Sequence, residues 1–261
     1  MFIVNNLIKD GGVMRTLLLD KYRNKTLTTA EIVDDFLRIY PQAKKATLVW
    51  NLNEMVKRGE ITRIGRGKYY FSPATSREFT KPLAKDVRQI VNIISKQFKY
   101  VKIVLTDSKW FSDYLVQQPF ATVVKIEVNE PAVEAVVNFL RKNGWKAFSA
   151  AEVADADKYF PKSRIFVIDK IRFYNPTNKC NNNLYVAKLE KIMVDEVCDY
   201  EAFKQYQGTE LENFYANVTE KCSVNFSTVM RYASSRGQKK QVMSLLENNE
   251  KFRLFSKGIR Q

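Results

Sequence analysis

Apolar residues recur at helical spacing through the first quarter of the chain. Leu17, Leu18 and Leu19 with Tyr22 predict a first helix. Thr28-Thr29-Ala30-Glu31 then reads as a capping box, in which Thr28 accepts from an exposed amide and Glu31 reaches back. Ile32, Val33, Phe36 and Leu37 continue that helix, and Tyr40-Pro41 ends it, because a residue before proline is pushed out of the helical region. A third helix is expected from about Lys45 to Arg58. Its apolar face is Leu48, Leu52, Met55 and Val56, with Gly59 as its stop. Two β-prone runs follow, Glu60 to Ile64 and Lys68 to Phe71, joined by Gly65-Arg66-Gly67. Three helices and a terminal hairpin over 14–73 form the pattern of a winged helix-turn-helix. Small polar residues and prolines over 74–85 read as a linker.

The texture changes from Asp86 onward. Val87 to Phe98 has helical period, Tyr100 to Leu105 is strand-like, and Trp110 to Val116 again looks helical. Ala121 to Val128 is a clear strand, Ala132 to Lys142 an amphipathic helix ending at Asn143-Gly144, and Arg164 to Ile168 another strand. Three helices are expected at the end: Lys188 to Cys198, Glu201 to Cys222 and Ser227 to Glu247. The class predicted is α+β: an N-terminal winged helix-turn-helix followed by a mixed α/β domain over 86–261 that ends in a helical segment. Neither an internal repeat nor a low-complexity tract is visible.

Charge adds the first functional clue. The chain carries 43 Lys plus Arg against 28 Asp plus Glu, a formal net charge of +15. A field of that sign favours polyanions: nucleic acid, an anionic membrane surface or an acidic protein. Histidine is absent, which removes the commonest general base and the commonest transition-metal ligand. Cys180, Cys198 and Cys222 form no CxxC pair, so they are read as reduced thiols, small core residues in a cytoplasmic protein. The apolar opening is broken by Asn5 and Asn6, too early for a signal peptide or a membrane span, and Met14 is a second candidate start.

A helix-turn-helix sets the beginning of its second helix against base edges in the major groove. On that placement the groove-facing candidates are Lys44, Lys45, Thr47 and Asn51, and the hairpin offers Arg63, Arg66 and Lys68, with Arg66 at its tip. Lysine suits phosphates or guanine, and asparagine suits adenine. Trp50 and Tyr69 are read as packing residues. Catalytic patterns are sparse: GxxxxGK[ST], GxGxxG and GxSxG are all missing. Asp107 and Lys109 form a DxK, half of a metal-dependent nuclease pattern, for which Asp86 or Asp169 are the only tempting partners. Asp155 and Asp157 beside Lys158 read as turn residues. The expectation is a protein that is not an enzyme and uses no cofactor or metal.

The run from Val56 to Phe71 resembles the wing of AbiEi-type antitoxins of type IV toxin–antitoxin systems. Thr106-Asp107-Ser108-Lys109-Trp110-Phe111, Gln118-Pro119-Phe120, Lys188 to Asp195, and Arg231 to Gly237 resemble that family's C-terminal domain. The resemblance spans about Thr28 to Glu247. It implies a winged helix that represses its own operon by binding repeated promoter sites in double-stranded DNA, and a C-terminal domain that opposes a nucleotidyltransferase toxin encoded alongside; on a repeated site, symmetry leads one to expect a dimer. It carries the DNA-contacting role onto Lys44, Lys45, Thr47, Asn51, Arg63, Arg66 and Lys68. It carries the antitoxic surface onto Lys188, Lys191, Arg231, Arg236, Lys239 and Lys240. Two other readings stay open at this point: a ligand-sensing winged-helix regulator, and a nuclease built on Asp107.

Overall fold

The computed structural model describes residues 11–58, 60–71, 79, 81–119, 121–160, 162–181 and 183–259. It opens with α1 (Gly11–Tyr22), β1 (Thr26–Thr28), α2 (Thr29–Ile39), α3 (Lys45–Lys57), β2 (Thr62–Gly65) and β3 (Lys68–Tyr70). The strands form an antiparallel sheet in the order β1-β3-β2. The capping box at α2 forms as the sequence predicts: the Glu31 amide donates to Thr28 Oγ1 at 3.2 Å, and the Thr28 amide donates to Glu31 at 2.7 Å. Tyr40 is the C-cap, as expected of a residue before proline. The apolar periodicity buries Leu18, Tyr22, Ile32, Val33, Phe36, Leu48, Leu52 and Met55 in one core with Tyr69 and Phe71. Met14, offered above as a possible start, belongs to that core and sits in α1, which begins at Gly11. Gly59 and, of the expected linker, residues 74–78 and 80 lie outside the described residues.

After these come α4 (Lys85–Gln97), β4 (Ile103–Asp107), a 3-10 turn (Ser108–Tyr114), β5 (Thr122–Val128), α5 (Val133–Lys142), β6 (Ala147–Ser149), α6 (Ala156–Tyr159), β7 (Arg164–Lys170), β8 (Thr177–Lys179), β9 (Leu184–Ala187) and α7 (Leu189–Cys198). The sheet order is β6-β7-β5-β4-β9-β8. Strands β6, β7 and β5 run parallel, β4 is antiparallel to β5 and parallel to β9, and β8 is antiparallel to β9. Val123 through Val128 are all buried, as befits a strand covered on both faces. The chain ends with α8 (Thr209–Lys221), α9 (Phe226–Ser235), α10 (Lys239–Leu246) and α11 (Glu250–Ile259).

Several elements depart from the sequence pattern. The helix expected from Trp110 to Val116 is a 3-10 helix that begins at Ser108, where the Asp107 carboxylate accepts from the Lys109 amide, and ends at Tyr114. Strands β1, β6, β8 and β9 have only three or four residues, too few for alternation to register. The expected helix from Ser227 to Glu247 is split where Gly237 takes φ +72°. Of the three thiols, Cys222 alone is buried, and Cys180 is exposed.

The division of the chain also differs from a simple boundary near 74–85. One compact unit comprises 1–79, 218–227 and 245–261; the other comprises 80–217 and 228–244. Within the first unit, α11 lies against β2. Phe226, Phe252 and Phe255 stack there, with ring centroids 5.4 to 5.8 Å apart, and all three are buried. Asn249 donates to Thr219 Oγ1 at 2.8 Å, and Lys251 to the Thr219 carbonyl at 3.1 Å. These rings supply apolar area that the first 70 residues alone do not provide.

Candidate nucleic-acid interface

Helix α3 buries Leu48, Leu52 and Met55, so its opposite side is outward. Lys44, Lys45 and Thr47 are exposed there, as the sequence predicts. Asn51 is not: it is 1 % exposed, and its Nδ2 donates to the Thr47 carbonyl at 3.0 Å and to Met14 Sδ at 3.2 Å. The reason is angular. Position 51 lies three residues after Leu48 and four before Met55, on the apolar stripe itself. The expectation that Asn51 reads adenine is therefore corrected. The outward row instead runs through Ala46 and Thr47, Trp50 and Asn53 to Lys57. Trp50 is 58 % exposed, against its reading as a packing residue, while Tyr69 is buried. Helical spacing taken from the exposed Ala46, at i+4 and i+7, rather than from the side chain's base-pairing chemistry would have found both Trp50 and Asn53.

The first turn of α3 carries no side-chain cap and no acidic residue, so its leading amides and its dipole face outward beside Lys44 and Lys45. In the hairpin, a two-residue turn at Arg66-Gly67 joins β2 to β3, and Gly67 takes φ +66°. The Gly67 carbonyl accepts from the Thr29 amide at 2.7 Å and from Thr29 Oγ1 at 3.1 Å, which anchors the turn to the start of α2. Arg66 is exposed at that turn. Arg63 is half-buried, its Nε donating to the Gly65 carbonyl at 3.3 Å, and Lys68 is also half-buried, near Glu31. Among the described residues, no carboxylate stands within ion-pair distance of Lys44, Lys45 or Arg66.

The second unit uses charge differently. Residues two apart on β5, Lys125 and Glu127, face the helix α7. Lys191 Nζ lies 2.9 Å from Glu127, 2.5 Å from Asp195 and 3.0 Å from the Tyr232 hydroxyl. Lys125 Nζ is paired with Asp199 and stands 3.2 Å from Glu127 and 3.4 Å from Asp169. Arg236 reaches Asp195 at 2.6 Å and Asp199 at 2.7 Å, and Arg172 reaches Asp169 at 3.0 Å. Burial alone would push the Lys125 ammonium down, but Asp195, Asp199, Glu127 and Asp169 outweigh it and hold its pKa well above the usual value. Burial would likewise raise Asp195, but Lys125, Lys191 and Arg236 hold it well below the carboxylate range.

This network corrects two residues of the expected antitoxic surface. Lys191 is wholly buried and Arg236 largely so, because each is a counter-ion that α7 and α9 need inside. Arg231, Lys239 and Lys240 are exposed, and Lys188 is half-buried. The DxK pattern is likewise absorbed. Asp107 is 1 % exposed and lies 2.6 Å from Arg164, which also reaches Asp86 at 2.6 Å. A guanidinium thus sits where a nuclease would place its cation. Asp169 belongs to the other network. Asp155 sits in a short 3-10 turn, and the side chains of Asp157 and Lys158 lie outside the described residues.

The sequence profile of a family described as a family of unknown function, DUF6577, matches residues 47–251. The chain belongs to that family. A search of the curated proteins finds no match. The DUF6577 span opens inside α3 at Thr47 and closes in α11 at Lys251, so it takes in Trp50, the hairpin and every residue of the buried network. Lys44 and Lys45 precede it. Among the described residues, no helix is long and apolar enough to cross a membrane.

Proposed function

We propose that the first unit is a winged helix-turn-helix that binds double-stranded DNA, and that the protein is a cytoplasmic transcriptional autorepressor and antitoxin with no catalytic activity. The observation that carries the DNA reading is the outward side of α3, where Lys44, Lys45, Thr47, Trp50 and Asn53 stand over an apolar core, with the exposed Arg66 turn in the same unit. Lysines and the leading amides of α3 suit phosphates, which supply affinity without sequence preference. Thr47 and Asn53 suit base edges, and Trp50 suits an apolar contact such as a thymine methyl. The antitoxic role rests on the resemblance to AbiEi-type proteins, in which the C-terminal domain opposes a nucleotidyltransferase. The exposed Arg231, Lys239 and Lys240 are what remains of the surface expected for it.

The test joins both halves. Full-length protein is titrated onto labelled DNA from the promoter region upstream of its own gene, against scrambled duplex of equal length, at several salt concentrations. Preferential, salt-sensitive binding supports repression; equal binding to both duplexes counts against it. Rescue of cells expressing the neighbouring nucleotidyltransferase supports antitoxicity, and absence of rescue removes it while leaving the DNA reading standing.

A further inference from the structure

The second unit contains a basic, aromatic surface that neither the buried network nor the DNA reading uses. Its sequence basis is two stretches with no acidic residue, 170–189 and 228–244. They meet where the Arg231 guanidinium lies over the Tyr174 ring at 4.2 Å and Tyr174 stands 6.0 Å from Tyr232. Phe173, next in the chain to Tyr174, is fully exposed. Beside Arg231, a groove of about 470 Å³ is lined by Met230, Arg231, Ser234, Ser235 and Lys239. Among the described residues, no carboxylate lies within ion-pair distance of Arg231, Lys239 or Lys240.

We propose that this surface binds single-stranded nucleic acid, with bases stacking on Phe173 and on the Arg231–Tyr174 pair and the phosphates running along the groove past Lys239. The chemistry selects that ligand over the alternatives. Single strands offer π-faces and a regular negative charge together, and proteins hold them with aromatic rings set in a basic groove. A duplex hides its base faces. A protein interface buries a contiguous apolar centre of several hundred Å² per side, whereas the groove here is lined by two cations, two serines and a single apolar side chain, Met230. The exposed Arg231 guanidinium, 4.2 Å from the Tyr174 ring centroid, already makes the cation–π contact that such a surface would extend to a base.

The experiment uses the full-length protein with saturating unlabelled duplex DNA to occupy the first unit. Binding of a fluorescein-labelled oligouridylate of about 12 nucleotides, within the usual site sizes, is followed by anisotropy. Phe173→Ala and Arg231→Ala should each weaken binding about ten-fold or more. Arg231→Lys, which keeps the charge but loses the plane, should remain several-fold weak, and Lys142→Ala, an exposed lysine on α5, should bind as wild type. Ultraviolet cross-links should map to the peptide carrying Phe173 and Tyr174. Failure of the wild type to bind, or equal loss with Lys142→Ala, overturns the proposal. So does toxin rescue abolished by Phe173→Ala with oligonucleotide binding intact, which would assign the surface to a protein partner.

Discussion

Both units carry an excess of basic residues, but only the second also draws cations into its interior. In the first, the core is apolar around Leu18, Phe36, Leu48 and Leu52, and Lys44, Lys45 and Arg66 stand in solvent without carboxylate partners. In the second, Lys125 and Lys191 are withdrawn from water and held by Glu127, Asp169, Asp195 and Asp199. A solvated lysine keeps its charge available to a polyanion. A buried one spends its attraction on its own counter-ions, and the main consequence of removing it is what it leaves behind. Basic composition alone therefore says little about function until each cation is located.

The sharpest break of the comparison is Lys191→Met. It leaves Glu127 and Asp195 short of their shared cation inside the fold, a loss for which about 3–5 kcal/mol is typical. Denaturant melts should show a lower midpoint and near-ultraviolet circular dichroism a loosened second unit. An unfolding free energy within ~0.5 kcal/mol of wild type would mean the network is not the structural device described above.

Next comes Lys45→Ala with Arg66→Ala. Stability should be unchanged, because among the described residues neither side chain has an ion-pair partner to abandon. Duplex affinity should fall about ten-fold or more near 0.15 M salt, and the slope of log K against log salt should shrink by about 0.9 for each phosphate contact removed. A lowered melting temperature in that variant, or an unchanged slope, would erase the distinction drawn between the units.

A third prediction turns on Asn51, a position where the pattern misled. Asn51→Ala removes the bonds to Thr47 and Met14 from the core, so it should cost about 1–3 kcal/mol of stability while promoter preference survives. Trp50→Ala and Asn53→Ala should do the reverse, losing preference with stability intact. Competition titrations against scrambled duplex separate the two cases.

Asn51 also shows where the sequence was readable and where it was not. Local devices were legible: the Thr28–Glu31 box, the Tyr40-Pro41 stop and the apolar stripe of α3 each depend on residues within four of one another. What was not legible depends on distant partners. No pattern near Lys191 announces that Glu127, 64 residues away, will take its charge. The i,i+4 spacing to Asp195 reads equally well as a solvated helical pair. The return of α11 to β2 was hidden for the same reason, since an amphipathic helix does not say which core it completes. One consequence is practical. A fragment beginning at Asp86 would leave Phe226, Phe252 and Phe255 without the β2 side of their core, so the roles of the two units are better separated by point substitutions than by truncation.

The last expected effect isolates a buried group that, among the described residues, has no counter-ion. Glu196, beside Asp195 on α7, is fully buried and neither carboxyl oxygen has a hydrogen-bond partner. Burial pushes its pKa well above the usual value, and the negative charge of Asp195 adds to the shift. The folded protein therefore keeps a proton there that the unfolded chain sheds above about pH 4.3. A folded state that binds more protons loses stability as pH rises, so this group destabilises the fold progressively from about pH 4.3 upward. Asp169 and Asp195 have depressed values and act with the opposite sign; their contribution is present above the ordinary carboxylate range and is lost only as pH falls through and below it. Because the chain has no histidine, few ordinary side chains titrate between pH 5 and 8. Over that window the wild-type melting temperature should fall, and Glu196→Gln, which cannot ionise, should flatten the profile and melt higher than wild type at pH 8. Parallel profiles for the two proteins would mean that Glu196 is ionised in the fold, with a charge partner inside the second unit still to be found.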